Sequence, residues 1–227
     1  MCIRDRVWTR AFCQQRGLTA SFMAQLDNDF PGLGGHPIVS LHDGETNVTA
    51  EGPLLGVAAR HAVGGILTCL PDLMALVAPT VNSYRRYAPG NWAPRTATWG
   101  YGNYTCAVRA VCDHPDSARL EFRLPGADTA PHLCAAMLIG GAAYGIENAI
   151  EPPEPTSETA RTIVPDEIGP LPRTLLEAAE RLASSGLARK LLGDAFVDHY
   201  AAALVAEDEV FRRNVSAFER ARYLHHV

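Results

Sequence analysis

The sequence predicts an α+β fold, and three observations carry that expectation. Between residues 96 and 124 three strand-like segments follow one another, at 96–100, 105–112 and 119–124. From residue 132 onward the apolar spacing is helical, at 132–150, 174–184 and 193–226, so strands and helices are segregated and do not alternate. The stretch 119–124 has strict period two: Leu120, Phe122 and Leu124 share one face, and Arg119, Glu121 and Arg123 share the other.

That polar row admits two readings. It is a solvated face of self-neutralising ion pairs, or it is a carboxylate that holds a divalent cation between guanidinium forks suited to phosphate or carboxylate groups.

Length and composition limit the alternatives. A chain of 227 residues holds one substantial core or two small ones, and 47% hydrophobic with 20% charged residues is the composition of a soluble globular protein. The formal net charge of −5 argues against a general nucleic-acid binder. Lys190 is the only lysine, so nearly all positive charge is arginine. Cys2, Cys13, Cys69, Cys106, Cys112 and Cys134 lack CxxC spacing and read as reduced thiols of a cytoplasmic protein, with no zinc site and no disulfide framework. The longest apolar run, 133–146, is shorter than the ~20 residues of a membrane span, and no membrane segment is expected.

Taken in order, residues 1–6 have no signal-peptide core and read as an artefactual or truncated start, with the domain proper at 7–227. Residues 7–16 end a helix closed by Gly17, and 18–24 read as a strand. The glycine-rich stretch through Gly32, Gly34 and Gly35 to His36, running into a strand, can bring backbone N–H groups and one side chain against a ligand. Asp43 to Asn47 is a hairpin turn. Helical spacing fills 54–76, with Pro71 expected to split it into two helices. The loop from Asn82 to Pro94, with adjacent Arg85 and Arg86, is long enough to suggest function. Residues 132–150 read as a buried Ala/Gly-rich helix, and Glu151-Pro152-Pro153 opens a surface loop that extends to Gly169. Thr174 and Glu177 form a capping-box pattern for the next helix, and one long helix is expected from Gly193 to His226.

The motifs Gly34-Gly35-His36 with Ser40-Leu41, Asn82-Ser83-Tyr84-Arg85-Arg86, the strand 119–124 with Pro125-Gly126, and Gly145-Ile146-Glu147-Asn148 come in the order and spacing of glutamine synthetase, which the chain resembles from about Val7 onward. The resemblance implies a curved antiparallel sheet backed by helices, the glutamine synthetase/guanido kinase-like catalytic fold, here its C-terminal portion, truncated on the N-terminal side and without the N-terminal β-grasp domain. It implies ATP and Mg2+ or Mn2+ as cofactors, with His36 and Glu121 as metal ligands. Ser40, Arg109 and Arg119 would serve the nucleotide, and Gly32, Arg86 and Arg123 the glutamate. Arg86, Arg109 and Trp92 would take the catalytic positions. It also implies a homo-oligomer of stacked rings in the full-length protein. Departures from the family pattern are Pro31 in the glycine-rich loop, Ile38 where a second histidine is usual, Tyr104 where an arginine is usual, and Trp92 in place of the glutamate of the loop that covers the site.

Three functions are consistent with these residues. The first is an ATP-dependent ligase that joins the γ-carboxylate of glutamate to ammonia or an amine, such as a polyamine, via a γ-glutamyl phosphate, with this fragment alone inactive. An indole at Trp92 shifts that reading from ammonia to a larger amine, because it cannot accept a proton but can pack an alkyl chain or stack a cation. The second is a non-catalytic protein that keeps the scaffold for binding. The third is a phosphagen-kinase-like enzyme, against which the Asn82–Arg86 motif speaks.

Overall fold

The structure, a computed structural model, describes residues 3–163 and 171–225. The fold is α+β. Its central sheet has four strands, β1 (Ile38–Val39), β8 (Arg119–Phe122), β7 (Val108–Val111) and β6 (Trp99–Tyr101), in the spatial order β1-β8-β7-β6. Two small hairpins, β2 (His42–Asp43) with β3 (Thr46–Asn47) and β4 (Ala50–Glu51) with β5 (Leu54–Leu55), link β1 to the first long helix. The helices are α1 (Ile3–Gln14), α2 (Val57–Leu73), α3 (Val81–Arg85), α4 (Pro131–Glu147), α5 (Leu175–Ser184), α6 (Gly186–Leu192), α7 (Asp194–Arg212) and α8 (Ala217–Tyr223).

The period-two pattern of β8 appears directly as burial. Leu120, Phe122 and the following Leu124 are at most 1% exposed, whereas Glu121 on the other face is part-exposed. The buried row belongs to one apolar core with Ile66 and Leu70 of α2, Met137 and Leu138 of α4, and Leu182 of α5. β1–β8 and β8–β7 pair antiparallel, but β6 runs parallel to β7. Gly102, at φ +60°, turns the chain out of β6, and its N–H bonds Ala110 O at 2.8 Å, so the chain returns to start β7 alongside β6 in the same direction.

Helices α2 and α4 meet backbone to backbone. A Cβ on Gly65 would stand 2.1 Å from Gly141 O and 2.4 Å from Gly145 Cα, and one on Gly145 would stand 2.1 Å from His61 O. Asp72 then ties α2 to the next layer, accepting from Arg181 Nε at 2.8 Å and from Ser185 Oγ at 2.7 Å.

Several sequence expectations are corrected. Residues 18–24 form no strand; the segment has no regular secondary structure and ends in a bend at Ala24, and Gln25 after it exchanges backbone bonds with the Asn82 side chain at 2.9 and 2.8 Å. Pro71 does not split α2, which continues to Leu73 and then tightens into a 3-10 turn, Met74–Leu76. Only the bond from the missing N–H to the carbonyl four residues back is lost at a proline, so N–H groups beyond it can still close the last turn. The expected helix 193–226 is two, α7 and α8, because Ser216 and Glu219 form a full capping box that starts a new one. Helix α6 was not anticipated; Ser185 caps it, accepting from Ala188 N at 3.0 Å, and Gly193 at φ +81° separates it from α7. At α5, Thr174 Oγ1 accepts from Glu177 N, but the Glu177 carboxylate returns to Arg173 N at 2.7 Å, one residue before the cap. The expected loop over 164–169 and the end of the last helix at His226 lie outside the described residues, as do Met1 and Cys2. Helix α1 begins at Ile3, and Arg6 donates to the carbonyls of Asp128 and Thr129, which joins part of the 1–6 segment to the fold. Ile3, Val7, Trp8 and Phe12 of α1 are all more than half exposed.

The α2–α4 contact generates a paired prediction. Gly145→Ala is expected to destabilise by about 1–3 kcal/mol, since an added methyl meets fixed backbone. Gly140→Ala, on the same helix with nothing within 4 Å of the added atom, is expected to stabilise by up to about 1 kcal/mol through helix propensity. Thermal unfolding of the two variants beside the parent checks both signs.

Candidate active site

The polar face of the sheet gathers around Glu121. Arg109 lies directly opposite it on β7, and Ile38 directly opposite on β1. The Glu121 carboxylate takes Arg109 Nη1 on Oε2 at 3.1 Å and Arg123 Nη1 on Oε1 at 2.7 Å. The His36 imidazole completes the group, with Nδ1 3.3 Å from Oε1. A glycine at 34 is required by this arrangement, because a Cβ there would stand 2.5 Å from His36 Nε2 and 3.0 Å from Arg86 Nη2.

The electrostatics are lopsided towards positive charge. Burial, together with the charges of Arg123 and Arg86, lowers the His36 imidazole from 6.5 to about 4 against the opposing pull of Glu121. Burial pushes the Glu121 carboxyl up, but the Arg109 hydrogen bond and the charges of Arg123 and Arg109 outweigh it and hold the group below its ordinary value. At neutral pH the pair is therefore a neutral imidazole with a free lone pair beside an ionised carboxylate.

Those two donors fit part of a divalent metal site. Two cis ligands on an octahedral ion with bonds of about 2.1 Å stand ~3 Å apart, close to the observed 3.3 Å. Each carboxylate oxygen has lone pairs to spare while accepting one N–H. Among the described residues no third His, Cys, Asp or Glu joins them, so a hard cation would draw its remaining ligands from substrate oxygens, water or other protein.

The other expected site residues are dispersed around this group. Arg86 is 4% exposed, and it directs Nη1 to Leu124 O at 2.6 Å and Nη2 to Arg123 O at 3.4 Å, so its fork faces backbone at the end of β8. Gly32 lies against it, where a Cβ would meet Arg86 Cγ at 2.7 Å. Ser40 and Arg119 sit at the other end of β8, donating to Ala118 O at 3.0 Å and Ser117 O at 2.8 Å. Trp92, 67% exposed, holds its ring 5.6 Å from the guanidinium carbon of Arg161. Ile38, at the position of the missing second histidine, is exposed beside Glu121 and supplies no ligand.

Two supporting residues escaped the sequence reading. Asp128 accepts from Thr80 Oγ1 at 2.9 Å and Ser83 Oγ at 2.5 Å, which fixes α3 and hence Arg86. Gln25 holds the glycine-rich loop, donating to the carbonyls of Asp27 and Phe30. Neither lies in a periodic pattern; the only local signal was Thr80-Val81-Asn82-Ser83 as a helix cap.

A pH experiment tests the His36 environment. Because the folded value lies below the unfolded one, between about pH 6.5 and 4 the unfolded chain binds a proton that the folded chain refuses. Stability is complete above that window and is lost as pH falls through it. His36→Gln is expected to shrink the fall in urea midpoint between about pH 7 and pH 4.5, and an unchanged fall would show that His36 does not contribute to it.

Comparison with known proteins places these residues in a family. The glutamine synthetase catalytic domain profile matches residues 3–223. The γ-glutamylethanolamide synthetase of Streptomyces coelicolor is 39% identical over 209 residues, covering 92% of this chain and 44% of that protein. The glutamate–isopropylamine ligase of a Pseudomonas species is 36% identical over 214 residues, with 92% and 47% covered. A solved structure of apo GmaS without ligand superposes with a TM-score of 0.82 at 29% identity, covering 97% of this chain and 51% of that one. The chain thus spans about half the length of the curated relatives it matches. With the match running across nearly all of its residues, the chain belongs to the glutamine synthetase family, within the catalytic domain.

Proposed function

We propose that the protein carrying this chain is an ATP-dependent ligase that joins the γ-carboxylate of glutamate to an amine by way of a γ-glutamyl phosphate. The observation that carries the reading is the Glu121 group: a carboxylate and a neutral imidazole between two arginines on one sheet face. Phosphoryl transfer to a carboxylate brings anions together, and its catalysis is mostly positioning and charge stabilisation. In this reading Arg109, Arg119 and Ser40 face the nucleotide phosphates, and Arg123, Arg86 and Gly32 face glutamate. His36 and Glu121 would hold Mg2+ or Mn2+, which when bound supplies the charge neutralisation that guanidinium groups share. Attack of the amine on the acyl carbon then releases phosphate.

An alkyl amine is preferred over ammonia on two grounds. Both curated relatives named above carry amine ligase names. At position 92 an indole replaces the carboxylate that would accept a proton from ammonium. Arg161 lies over that indole and occupies the face on which a cationic amine could stack, so apolar contact with the ring is the larger share of what Trp92 offers.

A second reading, a non-catalytic protein on the same scaffold, draws support from Arg86, whose fork is spent on backbone carbonyls. One assay separates them: phosphate release from ATP with glutamate present and ammonium, ethanolamine, isopropylamine or putrescine varied. The ligase reading expects turnover with an alkyl amine and about 10²-fold or poorer use of ammonium. Trp92→Glu is expected to improve ammonium use. Efficient turnover of ammonium with no gain from any alkyl amine would return the protein to glutamine synthesis, and no release with any amine would favour the non-catalytic reading.

A further inference from the structure

Tyr104 stands where the family pattern has an arginine, and it is 59% exposed. Its ring centroid lies 3.8 Å from the guanidinium carbon of Arg109 and 5.4 Å from that of Arg123. Its backbone carbonyl accepts from Arg123 Nε at 2.9 Å. One residue therefore touches both arginines that grip Glu121, by its ring face and by its main chain.

Arg109 needs such a support. Its Nη1 is on Glu121, but its Nε–H is buried and has no hydrogen-bond acceptor. A guanidinium with an unsatisfied donor gains by swinging out to water unless something opposes the motion. The electron-rich face of Tyr104 lies against that guanidinium at stacking distance, an attraction that opposes such a motion, and it does so without adding a third positive charge beside the two already on Glu121.

We infer that Tyr104 is a positioning residue that pre-organises Arg109 for a phosphate-bearing ligand, while its main chain holds Arg123 beside it. The role belongs to the ring and not to the hydroxyl, for which the structure gives no hydrogen bond among the described residues. Guanidinium groups held in place before the ligand arrives lose less freedom on binding it, so the residue acts through affinity for the phosphate group. This inference rests on the ligase reading for the identity of the ligand, but its physical content is the stacked arginine.

The experiment uses the protein carrying this chain, with Tyr104→Phe and Tyr104→Leu. The first readout is the NMR signal of the Arg109 Nε–H, which needs no activity. A ring-current shift is expected in the parent and in Tyr104→Phe, and its loss in Tyr104→Leu. The second readout is the dissociation constant for Mg-ATP, expected within twofold of the parent for Tyr104→Phe and raised about three- to tenfold for Tyr104→Leu. Thermal midpoints within a few degrees of the parent confirm that an exposed side chain was exchanged without loss of fold. Unchanged Arg109 signals and affinity in Tyr104→Leu overturn the inference, and so does a Tyr104→Phe variant as impaired as Tyr104→Leu. A shifted Arg109 signal without any Mg-ATP affinity in the parent would leave Tyr104 stacked but not pre-organising for phosphate, and would count against this inference. An absence of ligase turnover beside the expected shifts and affinities would overturn only the ligase reading.

Discussion

The contact on which the rest depends is the backbone-to-backbone approach of α2 and α4 at Gly65, Gly141 and Gly145. No pair of side chains permits helices to lie so close, and the two together carry much of the single apolar core. That core accepts Leu120, Phe122 and Leu124 from the strand between β1 and β7. With the apolar row committed to one side, the pleat sends Arg119, Glu121 and Arg123 to the other. The polar face of the candidate site is thus a geometric consequence of the packing behind it.

Much of this was legible in the sequence where one pattern ran for several residues without competition. The alternation at 119–124 and the Ala/Gly-rich helix before Glu151 were read close to their observed extents. What failed was punctuation. Pro71 does not break a helix so near the helix end, and the Ser216–Glu219 capping box starts a new helix inside an apolar periodicity that continues across it. The stretch at 18–24 shows the limit of local reading. It has a strand's residues, but its end is held by the Asn82 side chain and not by a neighbouring strand, a pairing between distant residues that no local pattern encodes. The His36–Glu121 proximity was inferred only by way of family resemblance, since it depends on the β1–β8 register across more than eighty residues of chain.

The site reverses the sign of the molecule. A chain with a formal net charge of −5 concentrates Arg86, Arg109 and Arg123 about one carboxylate, and a neutral histidine adds nothing to offset them. Local excess of positive charge in a partly buried place favours anions far more than the same charges spread over a surface. The acidic remainder of the protein helps by discouraging non-specific capture of polyanions.

Arg86 has a consequence that its charge alone does not convey. Its two terminal nitrogens reach successive carbonyls, those of Leu124 and Arg123, at the end of the strand that carries Glu121. Lysine would bring equal charge but a single ammonium that cannot span both, so the exchange is not conservative at this position. The fork acts as a gauge. The carbonyls of Arg123 and Leu124 follow one another along the chain, so the two nitrogens together fix where the end of that strand lies against the C-terminal end of α3. The separation of α3 from the end of β8 is in this way set by one planar guanidinium between two neighbouring carbonyls.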